Sequence, residues 1–208
     1  MKTDLLDIRN CDCMDLMQEF PDKHFDLAVV DPPYGIGMGE KMGTGWVSRS
    51  GGVKHASKKW DSKAPPVKYF EELRRVSRHQ IVWGANHFID RLPINSSCWI
   101  VWDKNNGDSL FADGELAWTS FNTPVRIVKV HWCGSAAIHE TGRNKIHPTQ
   151  KPVKLYNWIF TNYAKPGMKI LDTHMGSGSI AISAHYNKMH LTASELDKDY
   201  YNAACERI

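Results

Sequence analysis

The chain has no Cys-x-x-Cys pair, no internal repeat and no low-complexity tail. No apolar run approaches the roughly 20 residues that a membrane-spanning helix needs. Its five cysteines, Cys11, Cys13, Cys98, Cys133 and Cys205, are odd in number and scattered. That argues against a disulfide-stapled secreted scaffold and, with no signal-peptide pattern, for a reducing cytoplasm and a soluble protein. His131 and Cys133 lie two apart but lack a second ligand pair, so no metal is expected. A net charge of only +3 excludes a polycation. At 208 residues the chain fits one domain, residues 1–208, with a substantial core.

What is present begins with Asp31-Pro32-Pro33-Tyr34, which follows the apolar run Phe25 to Val30. A strand ending this way sets a carboxylate, a backbone carbonyl and a flat ring at one point. Pro33 has no N–H, and proline holds the residue before it in extended geometry. Local turns are therefore less able to consume the Asp31 and Pro32 carbonyls. Asp31 and the Pro32 carbonyl can accept the two hydrogens of a planar NH2 group, and Tyr34 can stack on its ring. Alone, the tetrapeptide could equally be a loop that terminates a strand.

Around it the pattern is α/β. Leu5 to Asp12 reads as a strand and its exit. A short helix follows through Met14, Leu16, Met17 and Phe20, and Phe25 to Val30 is a buried parallel-type strand. A helix is expected over Val67 to Ser77, with Tyr69, Phe70, Leu73 and Val76 on one face. Gln80 to Trp83 and Cys98 to Trp102 read as further strands. Glu115 to Thr119 and Val125 to Trp132 suggest an antiparallel pair, and Pro152 to Ala164 a helix with proline at its start. Such alternation argues a sheet covered on both faces.

Charge is uneven. Residues 35–68 hold seven lysines and arginines against Glu40 and Asp61, a net +5 that leaves −2 for the rest. Residues 35–66 read as a basic, mobile loop facing a phosphate backbone, although a merely solvated loop fits the composition as well. Within it Trp60, flanked by Lys58 and Lys59, could lie at a nucleic-acid surface, with Arg49 and Lys54 as weaker candidates. Trp60 could equally pack the loop onto the body.

The last forty residues carry a second motif. Lys169 to Asp172 ends a strand, and Gly176-Ser177-Gly178 opens a helix near Ser179. With Ala181 the spacing is GxGxxA, and Glu195 falls nineteen residues after Gly176. This is the pattern of an adenosine-binding βαβ unit, glycines for the tight turn and an acid for ribose hydroxyls. Thirteen residues follow Glu195, too few for the further βα units of a dinucleotide fold. The rest of the sheet must then come from the N-terminal part. That joins 165–208 and 1–34 into one cofactor-binding half and brings Asp172, Glu195, Asp12 and Asp31 to one sheet edge.

Nearly the whole chain resembles the DNA amino-methyltransferases that methylate N6 of adenine or N4 of cytosine, specifically their beta permutation class in a small phage- or prophage-like form. The resemblance implies a Rossmann-like methyltransferase fold, a doubly wound mixed sheet of about seven strands, circularly permuted so that the catalytic motif precedes the glycine loop. It also implies S-adenosylmethionine as cofactor, DNA as partner and a setting such as restriction-modification. Asp31, Pro32, Pro33 and Tyr34 then form the catalytic motif. Thr149, Gln150 and Lys151, within His147 to Pro152, resemble the segment receiving the methionine end, with Lys151 meeting its carboxylate. Asp172 is similar to the acid near the methionine amino group, Glu195 to the ribose acid, and Asp12-Cys13 to the adenine contact. Where the family more often has Asp-Pro-Phe, this chain has Asp172-Thr173-His174, so His174 replaces an aromatic that packs on the cofactor.

Asp at the first motif position resembles adenine-N6 enzymes more than cytosine-N4 enzymes, which tend to carry Ser. An amide or RNA methyltransferase is disfavoured by the motif order, and a non-catalytic DNA-binding module by the intact acids. No sizeable recognition domain is evident. Sequence reading would then fall to 35–66, to 103–114 or to a second subunit, which favours a homodimer.

Overall fold

The computed structural model describes residues 1–41, 57–93, 95–107, 112–132, 140 and 145–208. Eight strands form one mixed sheet: β1 (Leu6–Arg9), β2 (Phe25–Val30), β3 (Ser77–Trp83), β4 (Trp99–Asp103), β5 (Gly114–Thr119), β6 (Arg126–Lys129), β7 (Lys169–Asp172) and β8 (His190–Ser194). Their order across the sheet is β1-β8-β7-β2-β3-β5-β4-β6. The helices are α1 (Cys13–Gln18), α2 (Met38–Lys41), α3 (Val67–Val76), α4 (Val153–Tyr163), α5 (Ser179–Tyr186) and α6 (Lys198–Arg207).

Strand alternation divides the core in two. Leu27, Val29, Ile81, Trp83 and Ile170 point to one face, where Leu155, Ile159, Phe160, Ile180, Ala184 and Ala204 of α4, α5 and α6 cover them. Ala28, Val30, Val82 and Leu171 point to the other, under Leu16 and Met17 of α1 and Tyr69, Phe70, Leu73 and Val76 of α3. Period-two side chains on central strands buried on both sides produce this near-continuous apolar sequence. In α3 the buried positions recur at helical spacing, and its end is tied by the Ser77 hydroxyl donating to the Leu73 carbonyl.

The two ends of the polypeptide meet in the sheet. β1 pairs in parallel with β8, with Leu6 opposite Leu191 and Arg9 opposite Ser194. β7 lies between β8 and β2, parallel to both. The permuted order expected from the motifs is therefore what the strands adopt. One expectation is corrected. The segment after Phe121 does not pair with β5, because both edges of β5 are already occupied by β3 and β4. β6 instead runs parallel to β4 along its open edge, and becomes the eighth strand.

Candidate active site

The site lies where the parallel strands end. β2 delivers Asp31, β7 delivers Asp172, β8 delivers Glu195, and β1 leads to Asp12. Side chains at such carboxyl edges project into one crevice.

At the Asp-Pro-Pro-Tyr turn, the Tyr34 hydroxyl donates to Asp31 Oδ1 at 2.7 Å. The Tyr34 ring stacks on His87, with centroids 4.9 Å apart and planes 18° apart. The Pro32 carbonyl accepts no hydrogen bond among the described residues. Lys151 crosses from the segment before α4, and its ammonium bonds Asp31 Oδ2 and lies 3.0 Å from Glu115 Oε2. Glu115 Oε1 is in turn 2.7 Å from the Lys104 ammonium. Lys151 is also 5.5 Å from the Trp83 ring centroid, within cation–π range.

Burial pushes Asp31 above its usual value, although Lys151 pulls the other way. Burial acts on Glu115 in the same sense, but the Lys151 and Lys104 charges outweigh it and hold its carboxyl at about 2. Burial would lower Lys151; its two carboxylate partners more than offset this and keep it charged.

On the other side of the crevice, Gly176 and Gly178 adopt φ of +54° and +73°, the left-handed region that favours glycine. Gly178 caps α5, and Ser177 is buried with its hydroxyl 3.2 Å from that of Ser179. Glu195 accepts from the Gly176 amide at 2.8 Å and the Asp197 amide at 2.9 Å. Asp172 is 2 % exposed, and among the described residues it accepts from the His174 amide at 3.0 Å. Burial, reinforced by Asp31 and Glu195, pushes its carboxyl up to about 8. His174 is pushed down to about 4 by burial and sits near Cys13, whose thiol burial raises to about 12. Asp12 is exposed and caps α1 through the Met14 amide. The His147 ring lies against the position a Gly176 side chain would take, which joins the 147–152 segment to the glycine turn.

Thr149 bonds His147 Nδ1 through its amide and hydroxyl. Gln150 is buried, and its Nε2 has no hydrogen-bond partner among the described residues.

The catalytic and cofactor candidates thus converge, with one change of partner: Lys151 meets two protein carboxylates. Of the nucleic-acid candidates, the described ones differ in their surroundings. Lys59 is exposed. Lys58, however, is engaged by Asp197 at 2.6 Å and Asp199 at 2.8 Å, and Trp60 packs on His147 with ring centroids 5.0 Å apart. The acids at the start of α6 draw the lysine inward. Arg49 and Lys54 lie outside the described residues. Glu115, Lys104, His87 and Asp61 went unrecognised in the sequence. The one available signal was a carboxylate, Glu115, opening an otherwise apolar strand.

This sheet order and crevice define a Rossmann-like methyltransferase. Residues 86–206 match the model of the N6_N4_Mtase family, described as DNA methylase, and the chain belongs to that family. It is 25% identical over 215 residues to YubD of Escherichia coli (strain K12), named as a methylase, covering 95% of this chain and 87% of that protein. Among solved structures, it resembles the M1.HpyAVI complex with SAM at TM-score 0.61 and 17% identity, over 98% of this chain and all of the other. It resembles the cytosine-N4-specific PvuII DNA methyltransferase at TM-score 0.64 and 14% identity, over 100% of this chain and 87% of the other.

Proposed function

We propose that the protein transfers a methyl group from S-adenosylmethionine to the exocyclic N6 of adenine in DNA. The observation that carries this reading is the meeting, in one crevice, of the Asp31-Pro32 acceptor pair with the Gly176–Gly178 turn and the buried acid Asp172.

The residues present suit the cofactor. Asp172 is a buried carboxyl with one backbone donor among the described residues, which is the environment an incoming ammonium would stabilise. Gln150 Nε2 is a buried donor in want of an acceptor, suited to the carboxylate of the methionine end. Glu195, fixed by two backbone amides, keeps lone pairs for ribose hydroxyls. When bound, the cofactor supplies a methyl group on a sulfonium, electrophilic at carbon.

The adenine amino nitrogen is a poor nucleophile because its lone pair is delocalised into the ring. Asp31 and the unbonded Pro32 carbonyl accept its two hydrogens and draw it towards tetrahedral geometry. The lone pair would then be free for the methyl group of a cofactor held by Asp172, Gln150 and Glu195, whose sulfur would keep the electrons of the broken C–S bond, and the nitrogen would give up one proton. Asp31, raised by burial, is suited to receive that proton. Positioning and electrostatics supply most of the catalysis. The base leaves the duplex to reach the crevice, and Tyr34 lies at the turn it would enter.

Mass spectrometry of nucleosides from DNA incubated with protein and S-adenosylmethionine tests this reading. N6-methyladenine is expected. N4-methylcytosine would instead support a cytosine enzyme, the reading that the likeness to PvuII methyltransferase favours.

A further inference from the structure

We propose that Asp61 is a positioning residue for the catalytic turn, and that Lys58 to Asp61 form a strap joining that turn to the glycine-turn side of the crevice. The inference rests on the proposed role of Asp31 and Tyr34.

After Pro32 and Pro33, neither of which has an N–H, Tyr34 and Gly35 supply the first backbone donors of the turn. Both converge on one buried carboxylate. Asp61 Oδ1 accepts from the Tyr34 amide at 2.6 Å and the Gly35 amide at 2.9 Å, while Oδ2 accepts from the Met38 amide at 2.8 Å. Asp61 is 2 % exposed, and its own carbonyl accepts from the Gly37 amide at 3.0 Å. The acceptor is a buried carboxylate, and bonds to a carboxylate are stronger than those to neutral groups. A turn that two prolines deprive of a ladder is thereby fixed by a side chain 23 to 27 residues away in the sequence. Fixing the Tyr34 backbone also fixes its hydroxyl on Asp31 and its ring on His87.

The same strap reaches across the crevice. The Lys58 amide donates to the Gly39 carbonyl, and its ammonium holds Asp197, whose amide donates to Glu195. That ammonium lies 4.5 Å from the Tyr200 ring centroid, Tyr200 packs on His147, and His147 packs on Trp60. One four-residue segment thus touches both the target-base turn and the Glu195 turn. Its sequence placed it in a basic loop facing DNA, but Lys58, Trp60 and Asp61 are engaged by the protein itself, with Lys59 left exposed.

Asp61→Asn keeps the shape but turns one acceptor into a donor facing an amide. The expected result is a fall in kcat of about 10- to 100-fold, because an ångström-scale misplacement of catalytic groups has that effect. The S-adenosylhomocysteine Kd should stay within about threefold, since among the described residues Asp61 makes no hydrogen bond to the glycine turn. In the parent protein, hydrogen exchange should show protected amides at Tyr34, Gly35 and Met38. An unchanged kcat, or a Kd that weakens in step with kcat, would overturn the proposal. If the variant does not fold, parent exchange decides: unprotected amides overturn the proposal, and protected ones support it. A parent that transfers no methyl group to DNA would sink the functional reading instead, and leaves the exchange result standing on its own.

Discussion

Lys151 and Glu115 form an ion pair at 3.0 Å inside the crevice, and the same ammonium holds Asp31. The Lys151 side chain is 3 % exposed, so neither water nor salt screens it effectively. Glu115 therefore gives Lys151 a second anchor. Were a substrate amine to take over Asp31, as proposed, the lysine would retain a buried counter-charge.

Removing that cation exposes the balance. Lys151→Met leaves Asp31 without its cation beside a Glu115 that keeps only Lys104, and is expected to destabilise the fold by about 3–5 kcal/mol at neutral pH. Both carboxyls would then titrate at higher pH than in the parent. The loss should therefore shrink as pH falls and they take up protons. Urea unfolding at two pH values measures this, and a loss that does not change with pH would contradict it.

Asp31→Ala should lower methyl transfer by at least about 10²-fold, as removal of a transition-state hydrogen-bond partner does. Binding of S-adenosylhomocysteine should persist, because Asp172, Glu195 and the glycine turn are untouched. A labelled-methyl assay paired with calorimetry separates the two. Transfer at the parent rate would refute the mechanism.

Much of this was legible in the sequence because it is local. The apolar run before Asp31 and the spacing from Gly176 to Glu195 mark two strand ends, and ligand sites lie at such ends. The partners of individual charges were not legible. Lys151 looked suited to a ligand carboxylate, yet it meets Glu115, which comes from β5, three strand positions from β7. Lys58 looked like part of a basic surface, but it is neutralised by acids about 140 positions later. Such pairings depend on how β5 and α6 pack, and no local periodicity encodes them. The place of β6 was hidden for the same reason, since it depends on which strand edge is left open.

The helix over the second core cluster offers a control remote from the chemistry. Leu73 is fully buried between α3 and the sheet. Leu73→Ala should destabilise by about 2–5 kcal/mol through lost transfer energy and the cavity left behind. Folded Leu73→Ala protein should keep the parent kcat/KM at temperatures well below its Tm. A selective loss of kcat would mean that α3 also positions the crevice through Tyr69, whose hydroxyl lies 2.6 Å from Thr173.

On the role proposed for Asp172, its titration ties cofactor binding to pH. Its carboxyl lies near 8 in the ligand-free protein, raised by burial and then by Asp31 and Glu195. Between the unfolded value of 3.8 and about 8 the folded protein binds the extra proton. Stability from this group is therefore greatest at low pH and declines as pH rises through that window. Asp172→Asn removes the titration. It should raise Tm relative to the parent at pH 8 and have little effect on the difference near pH 4. Cofactor binding has the opposite slope, because an ammonium needs the ionised carboxylate. S-adenosylhomocysteine affinity should strengthen as pH rises from 6 to 8, by up to about tenfold per unit, and Asp172→Asn should bind weakly with a flat profile. Calorimetric titration across that range measures both, and a parent profile as flat as that of Asp172→Asn would remove Asp172 from the cofactor site.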